Sequence, residues 1–143
     1  MPTELSMPLN AKKRVYDKGD RRLKHVNTKP SPAFEIVNGN PKRVIGKCPS
    51  GMTSTLLDTL VNEAIAPYDL PAGAAFHKRL YVIHEGAIYE AQSSDHGKSY
   101  HGYPYKGKLS SGLIERLREM ARFKKCSDEY ERWVDSHIQR HGR

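Results

Sequence analysis

Arg79-Leu-Tyr-Val-Ile-His-Glu-Gly-Ala-Ile-Tyr-Glu-Ala-Gln92 is the stretch on which the reading of the fold turns. A run of Leu, Tyr, Val and Ile ends at Glu85-Gly86, and a second run, Ala87 to Gln92, follows at once. β-Branched and aromatic side chains suit a pleated, half-buried surface, and a short glycine-containing break between two such runs reverses the chain. The stretch predicts an antiparallel hairpin. On its N-terminal side, Thr53 to Ala66 repeats apolar residues at helical spacing, with Leu56, Leu57, Leu60, Val61, Ala64 and Ile65 on one face and Pro67 as the stop. Earlier still, Phe34–Val37 and Arg43–Ile45 flank Asn38-Gly-Asn-Pro41, which predicts another hairpin.

On the C-terminal side, Ser110 or Ser111 can cap a helix whose buried face is Leu113, Ile114, Leu117, Met120 and Ala121. Ser127, with Asp128 and Glu129 in a first turn that favours acidic groups, opens a last helix carrying Tyr130, Trp133, Val134 and Ile138. The expected fold is α+β: two β-hairpins forming a small antiparallel sheet packed by about three helices. Residues 1–32 read as a basic flexible arm and 33–143 as a single domain. The expected core is Leu56, Leu60, Ile65, Val82, Ile88, Leu113, Leu117 and Trp133.

The chain has 143 residues, one ordinary domain in length, and 37% of them are apolar. Lys and Arg number 24 against 16 Asp and Glu, for a net charge of +8. An excess of that size repels itself unless a polyanion uses it, so nucleic acid, or an acidic protein, is the expected partner. Much of it lies between Asn10 and Pro32, where Lys12, Lys13, Arg14, Lys18, Arg21, Arg22, Lys24 and Lys29 face only Asp17 and Asp20. Cys48 and Cys126 stand too far apart in sequence for a metal-ligand pair, and two thiols make no disulfide framework. Met1-Pro-Thr-Glu-Leu-Ser6 lacks the charged-then-apolar pattern of a secretory signal, and no apolar run is long enough to span a membrane. These features predict a cytoplasmic protein with no membrane contact.

Gly46-Lys-Cys-Pro-Ser-Gly51-Met52-Thr53 has the glycine spacing of a phosphate-binding loop. Met52 stands where the phosphate-binding lysine belongs, and Pro49 removes a backbone donor, so the segment reads as ordinary helix entry. His96 and His101 have a spacing that fits half of a zinc site, but no second ligand pair accompanies them. Neither a metal nor another cofactor is expected.

The segment Ser93 to Lys108 carries the functional expectation. Sixteen residues separate the hairpin from the helix, and they hold His96, His101, Tyr100, Tyr103, Tyr105, Lys98, Lys106 and Lys108. A connection of that length without secondary structure is uncommon and tends to be functional. Tyrosine faces stack unpaired bases, lysines meet phosphates, and a histidine titrating near neutrality can move protons in phosphodiester cleavage. The nucleic-acid-binding residues expected are Lys12, Lys13, Arg14, Arg21, Arg22, Lys24, Lys98, Tyr100, Tyr103, Lys106 and Lys108. Beyond them, Arg118, Arg122 and Lys125 recur on one helix face that can extend a phosphate-binding surface.

The residues from Arg79 through Ile88-Tyr89 to Ser93-Ser-Asp-His96 resemble the C-terminal strands of barnase-like ribonucleases. There an arginine opens a strand, a tight turn leads to an Ile-Tyr strand, and a Thr-Asp-His segment follows. The resemblance covers about eighteen residues. The arginine-to-histidine spacing is longer here, and Gly97 replaces the aromatic after the histidine. It implies metal-independent RNA cleavage with His96 as general acid and Arg79 stabilising the transition state. His101 is the second candidate histidine, and Glu63 and Glu90 are both candidates for the general base. The expectation is a small ribonuclease or toxin-like domain acting on RNA. Its rivals are a non-catalytic nucleic-acid-binding module and a basic inhibitor or adaptor of an acidic protein.

Overall fold

The computed structural model describes residues 14–16, 31–37, 43–49, 52–67 and 76–141. Over these residues the chain forms β1 (Ala33–Val37), β2 (Arg43–Lys47), α1 (Ser54–Glu63), β3 (Arg79–His84), β4 (Ala87–Gln92), β5 (His101–Pro104), β6 (Gly107–Ser110), α2 (Ser111–Phe123), α3 (Ser127–His137) and β7 (Ile138–His141). The fold is α+β with three helices, as the sequence predicts. The two hairpins do not share a sheet: β1 and β2 pair alone, β3, β4 and β5 form an antiparallel three-stranded sheet, and β6 and β7 make a parallel pair.

The β3–β4 hairpin is the centre. Its turn residues Glu85 (φ 51°) and Gly86 (φ 87°) both take the left-handed conformation that a two-residue hairpin turn of matching twist requires. Gly86 is needed for a second reason, since a Cβ there would lie 2.2 Å from the Cβ of Glu129 in α3. Side chains alternate across a strand, so β3 and β4 sort their residues between two faces. Leu80, Val82, Ala87, Tyr89 and Ala91 face a core shared with Leu60 and Val61 of α1, Ala64 just beyond its end, Cys48 and Tyr100. Tyr81, Ile83 and Ile88 face a second core built from Leu113, Ile114, Leu117 and Ala121 of α2 and Tyr130 and Val134 of α3. Both faces are covered, so the hairpin reads as near-continuous apolar runs rather than as strict alternation.

Helix boundaries follow local chemistry. Thr53 caps α1, its hydroxyl accepting from the Leu56 N–H, and Ser110 caps α2 by accepting from Leu113. Helix α1 stops at Glu63, short of Pro67, because Ile65 leaves the helix to exchange backbone hydrogen bonds with Tyr81 (2.7 and 2.8 Å). Helix α3 opens at Ser127 as expected, and Cys126 occupies the cap position with no side-chain hydrogen bond. Ile138, expected on the last helix, begins β7, which lies beside β6.

The expected core residues Leu60, Val82, Ile88, Leu113 and Leu117 are buried, and Leu56, Ile65 and Trp133 pack against the core from its margin. Leu117 is 0% exposed, whereas Phe123 near the end of the same helix is 87% exposed. Leu117→Ala is therefore expected to lower unfolding free energy by about 2–5 kcal/mol through lost burial and a residual cavity. Phe123→Ala should change it by less than about 0.5 kcal/mol. Urea unfolding of the two variants checks the assignment of the helix face.

Candidate nucleic-acid site

Position in the three-stranded sheet brings together residues that lie far apart in sequence. Tyr81 pairs with Glu90 and Glu90 with Tyr103, while Arg79 pairs with Gln92 and Gln92 with His101. The two rows are two residues apart along each strand, so all six side chains share one face. The next residues on that face, Ile83 and Ile88, lie in the core beneath α2 and α3. Arg79, Gln92 and His101 occupy the end away from that core.

Glu90 is the pivot. It is 5% exposed, and a carboxylate at that depth requires compensating bonds. Oε2 accepts from the Tyr81 hydroxyl at 2.6 Å, and Oε1 accepts from the Tyr103 hydroxyl at 2.5 Å and from Gln92 Nε2 at 3.1 Å. Gln92 also donates to the Tyr103 oxygen. At the mouth, Arg79 Nε stands 3.9 Å from Glu90 Oε2, with the arginine side chain 55% exposed and that of the glutamate only 6%. Burial, followed by the bond to Glu90, pushes both Tyr81 and Tyr103 far above the usual phenol range. Both phenols are neutral donors at any ordinary pH. The His101 ring centroid lies 6.4 Å from that of Tyr103. As a diagonal neighbour of Glu90 across β4 and β5, His101 has its Cα roughly 7–8 Å away.

The segment from Ser93 to Lys108 is not one long loop. Only its first half is a connection, and it is tightly ordered: Ser93 Oγ and Asp95 share a bond of 2.8 Å, and Asp95 accepts from the Ser99 N–H (2.9 Å) and Ser99 Oγ (2.6 Å). The second half supplies β5 and β6, whose strand character the glycines and Pro104 mask in the sequence. His96 is exposed at the tip of the ordered turn, with φ 62° and its ring edge-on to Phe76 at 6.0 Å. It sits in the connection between β4 and β5 and is not one of the six residues paired on the sheet face. Lys98 is exposed on the same turn. Lys106 and Lys108 are exposed between β5 and α2, the ammonium of Lys106 lying 5.5 Å from the Phe34 ring centroid.

Two of the expected contacts have other employment. Tyr100 is 3% exposed, and its hydroxyl donates to the His77 carbonyl at 2.7 Å, so it is a core side chain and offers no face to a base. Arg14 donates to the carbonyls of Val61 (2.9 Å) and Ala64 (2.7 Å), satisfying acceptors at the end of α1 that a helix terminus leaves open. Desolvation lowers its pKa from the usual arginine value. Tyr16 forms a parallel bridge with Tyr100, so residues 14–16 of the expected flexible arm are tied to the domain. Lys12, Lys13, Arg21, Arg22 and Lys24 lie outside the described residues. Two cations of the basic face of α2 are already paired: Arg118 bonds Glu115 and, at 2.6 Å, Glu131, and Arg122 pairs with Glu119 at 2.5 Å.

Of the two candidate bases, Glu63 pairs with Lys124 at 2.6 Å, far from Arg79 in the fold, and Glu90 sits beside Arg79. Tyr81 and Gln92 were not anticipated. The available signal was the period of two that places Arg79, Tyr81, Glu90 and Gln92 on one hairpin face, with a glutamate amid an apolar strand. Among the described residues, no group of three His, Cys, Asp or Glu side chains is disposed to hold a metal ion, and no helix is long and apolar enough to cross a membrane. Comparison with protein-family models, with curated proteins and with solved structures found no match.

The turn gives a pH prediction. The bonds from Ser99 and Ser93 depress the Asp95 carboxyl from 3.8 to about 2. A depressed carboxyl contributes order that is fully present above its unfolded value and lost as the pH falls through the folded one. The Ser99 and Gly97 amide resonances should hold their positions down to about pH 4 and shift as the pH falls toward 2, with the buried Ala121 amide reporting an intact core. In Asp95→Ala that transition should be absent. For Arg14→Ala, the loss of two hydrogen bonds from a charged donor should destabilise the fold by about 1–3 kcal/mol in urea unfolding.

Proposed function

We propose that this protein is a small ribonuclease that cleaves single-stranded RNA by attack of the ribose 2′-hydroxyl on the adjacent phosphate, with Glu90 as general base, His101 as general acid and Arg79 as the cation that stabilises the transition state. The observation that carries this reading is the juxtaposition of Arg79, Glu90 and His101 on one face of the three-stranded sheet. The reaction needs one group to take the 2′ proton and another to protonate the leaving 5′ oxygen. A carboxylate and an imidazole at diagonal positions on neighbouring strands, their Cα atoms roughly 7–8 Å apart, are the kind of pair that need calls for. The exposed guanidinium beside them suits the charge that builds on the non-bridging oxygens. All three roles are filled by side chains, so the scheme calls for no metal. The resemblance of residues 79–96 to barnase-like ribonucleases supports the same chemistry, with the acid moved from His96 to His101. Lys98, Lys106 and Lys108, exposed on neighbouring segments, and the net charge of +8 supply long-range attraction for phosphates.

A second reading, a non-catalytic RNA-binding module, draws on the fact that both Glu90 oxygens are already hydrogen-bonded. Incubation with end-labelled single-stranded RNA in EDTA separates the two. The ribonuclease reading expects products ending in a 2′,3′-cyclic phosphate, and rates lower by at least ~10²-fold in Glu90→Gln and in His101→Ala with little change in RNA affinity. His96→Ala should cleave nearly as the unaltered chain does. Intact RNA that is bound and never cut, with a log–log salt slope of about −0.7 per phosphate contact, would replace the enzyme with the binding module.

A further inference from the structure

Glu90 has no direct route to a substrate hydroxyl as the side chains stand. It is 5% exposed, and its two oxygens carry bonds from Tyr81, Tyr103 and Gln92. Of these three partners Tyr81 is itself buried, whereas Tyr103 is half-buried and lies on β5, the terminal strand of the sheet. Tyr103 also stands directly opposite Glu90, on the same face as His101 and two residues from it. Its hydroxyl bridges the carboxylate and the outer part of the face.

Resting on the ribonuclease reading, we propose that Tyr103 is a catalytic residue: it touches the reacting 2′-hydroxyl and relays that proton to Glu90. A phenolic oxygen can accept one hydrogen bond while giving another, and Tyr103 already does so between Gln92 and Glu90. The 2′-hydroxyl donates to the same oxygen, beside Gln92 or in its place. As the 2′ oxygen forms its bond to phosphorus, its proton passes to the Tyr103 oxygen and the Tyr103 proton passes to Glu90 Oε1. The bond from phosphorus to the 5′ oxygen breaks, and that oxygen takes a proton from His101. Tyr103 ends the step neutral, Glu90 protonated and His101 deprotonated, and exchange with solvent restores both. The two transfers on the base side are concerted, because burial and the bond to Glu90 hold the phenol far above its usual range and leave no tyrosinate to act alone. Tyr81 holds the other carboxylate oxygen and serves as a positioning residue.

The test uses the full chain and a short labelled single-stranded RNA in EDTA, with kcat and KM measured separately. Tyr103→Phe should lower kcat by at least ~10²-fold with KM changed by less than about threefold. Tyr81→Phe should lower kcat by less than Tyr103→Phe does. Tyr103→Ala is measured with added phenol or toluene, because only phenol restores the hydroxyl while either restores bulk. Restoration by phenol alone, absent in Tyr103→Ala combined with Glu90→Gln, supports the relay, and it also serves if Tyr103→Phe proves unfolded by thermal melting. A folded Tyr103→Phe that cleaves within about tenfold of the unaltered chain overturns the relay and leaves Glu90 as a direct base. Equal effects of phenol and toluene, or no effect of either, likewise overturn it. Failure of the unaltered chain to cleave RNA overturns the ribonuclease reading itself and the relay with it.

Discussion

Burial of the β3–β4 hairpin on both faces is the constraint that organises this molecule. A two-stranded ribbon is marginal alone, and it becomes stable when helices remove its side chains from water. Here α1 covers one face, and α2 with α3 covers the other. Pleating then distributes Leu80, Val82, Tyr89 and Ala91 to one core and Tyr81, Ile83 and Ile88 to the other. The turn at Glu85-Gly86 carries a second load, because α3 passes so close to Gly86 that no side chain fits there. Chain reversal and helix docking depend on the same glycine.

The same pleat makes the polar face. The helices cover the turn end of the sheet around Ile83 and Ile88, and the residues two and four positions back along each strand continue the face beyond them. Glu90 sits at that boundary. Withdrawing a carboxylate from water costs several kcal/mol unless hydrogen bonds replace those of the solvent. Two phenols, one amide and a guanidinium at 3.9 Å supply the replacement. Such a network holds side chains in one arrangement, since each member fixes the orientation of the next. That rigidity is what a proton-transfer site needs, where donor and acceptor must already be in position.

Residues 14–16 show how a basic segment can serve the fold instead of a ligand. Arg14 closes the end of α1, Asn62 and the Arg14 backbone exchange hydrogen bonds of 2.8 and 2.9 Å, and Tyr16 bridges to Tyr100. Arg118 and Arg122 of α2 are likewise spent on neighbouring carboxylates, and Arg116 on the carbonyls of Ala66 and Pro67. Net charge therefore overstates the cation available for a polyanion, and Arg79, Lys98, Lys106 and Lys108 are better placed to meet one among the described residues.

What the sequence determined by itself was local. The hairpin at 79–92, the caps at Thr53 and Ser110 and the apolar stripes of the helices follow from side-chain shape, turn chemistry and the periods of 2 and 3.6, all of which act within a few residues. It also made His101 and Tyr103 candidates by residue type, and Arg79 and Glu90 through the resemblance of residues 79–96. Tertiary structure alone decided that β5 arises from within a glycine-rich connection, since His101-Gly-Tyr-Pro104 is a strand only because β4 offers it an unpaired edge. It also decided that Tyr100 is core while Tyr103 is not, and that Glu90 rather than Glu63 lies beside Arg79. Those outcomes depend on strand register, and register is set by which faces are buried across the whole fold, so no window of neighbouring residues contains it.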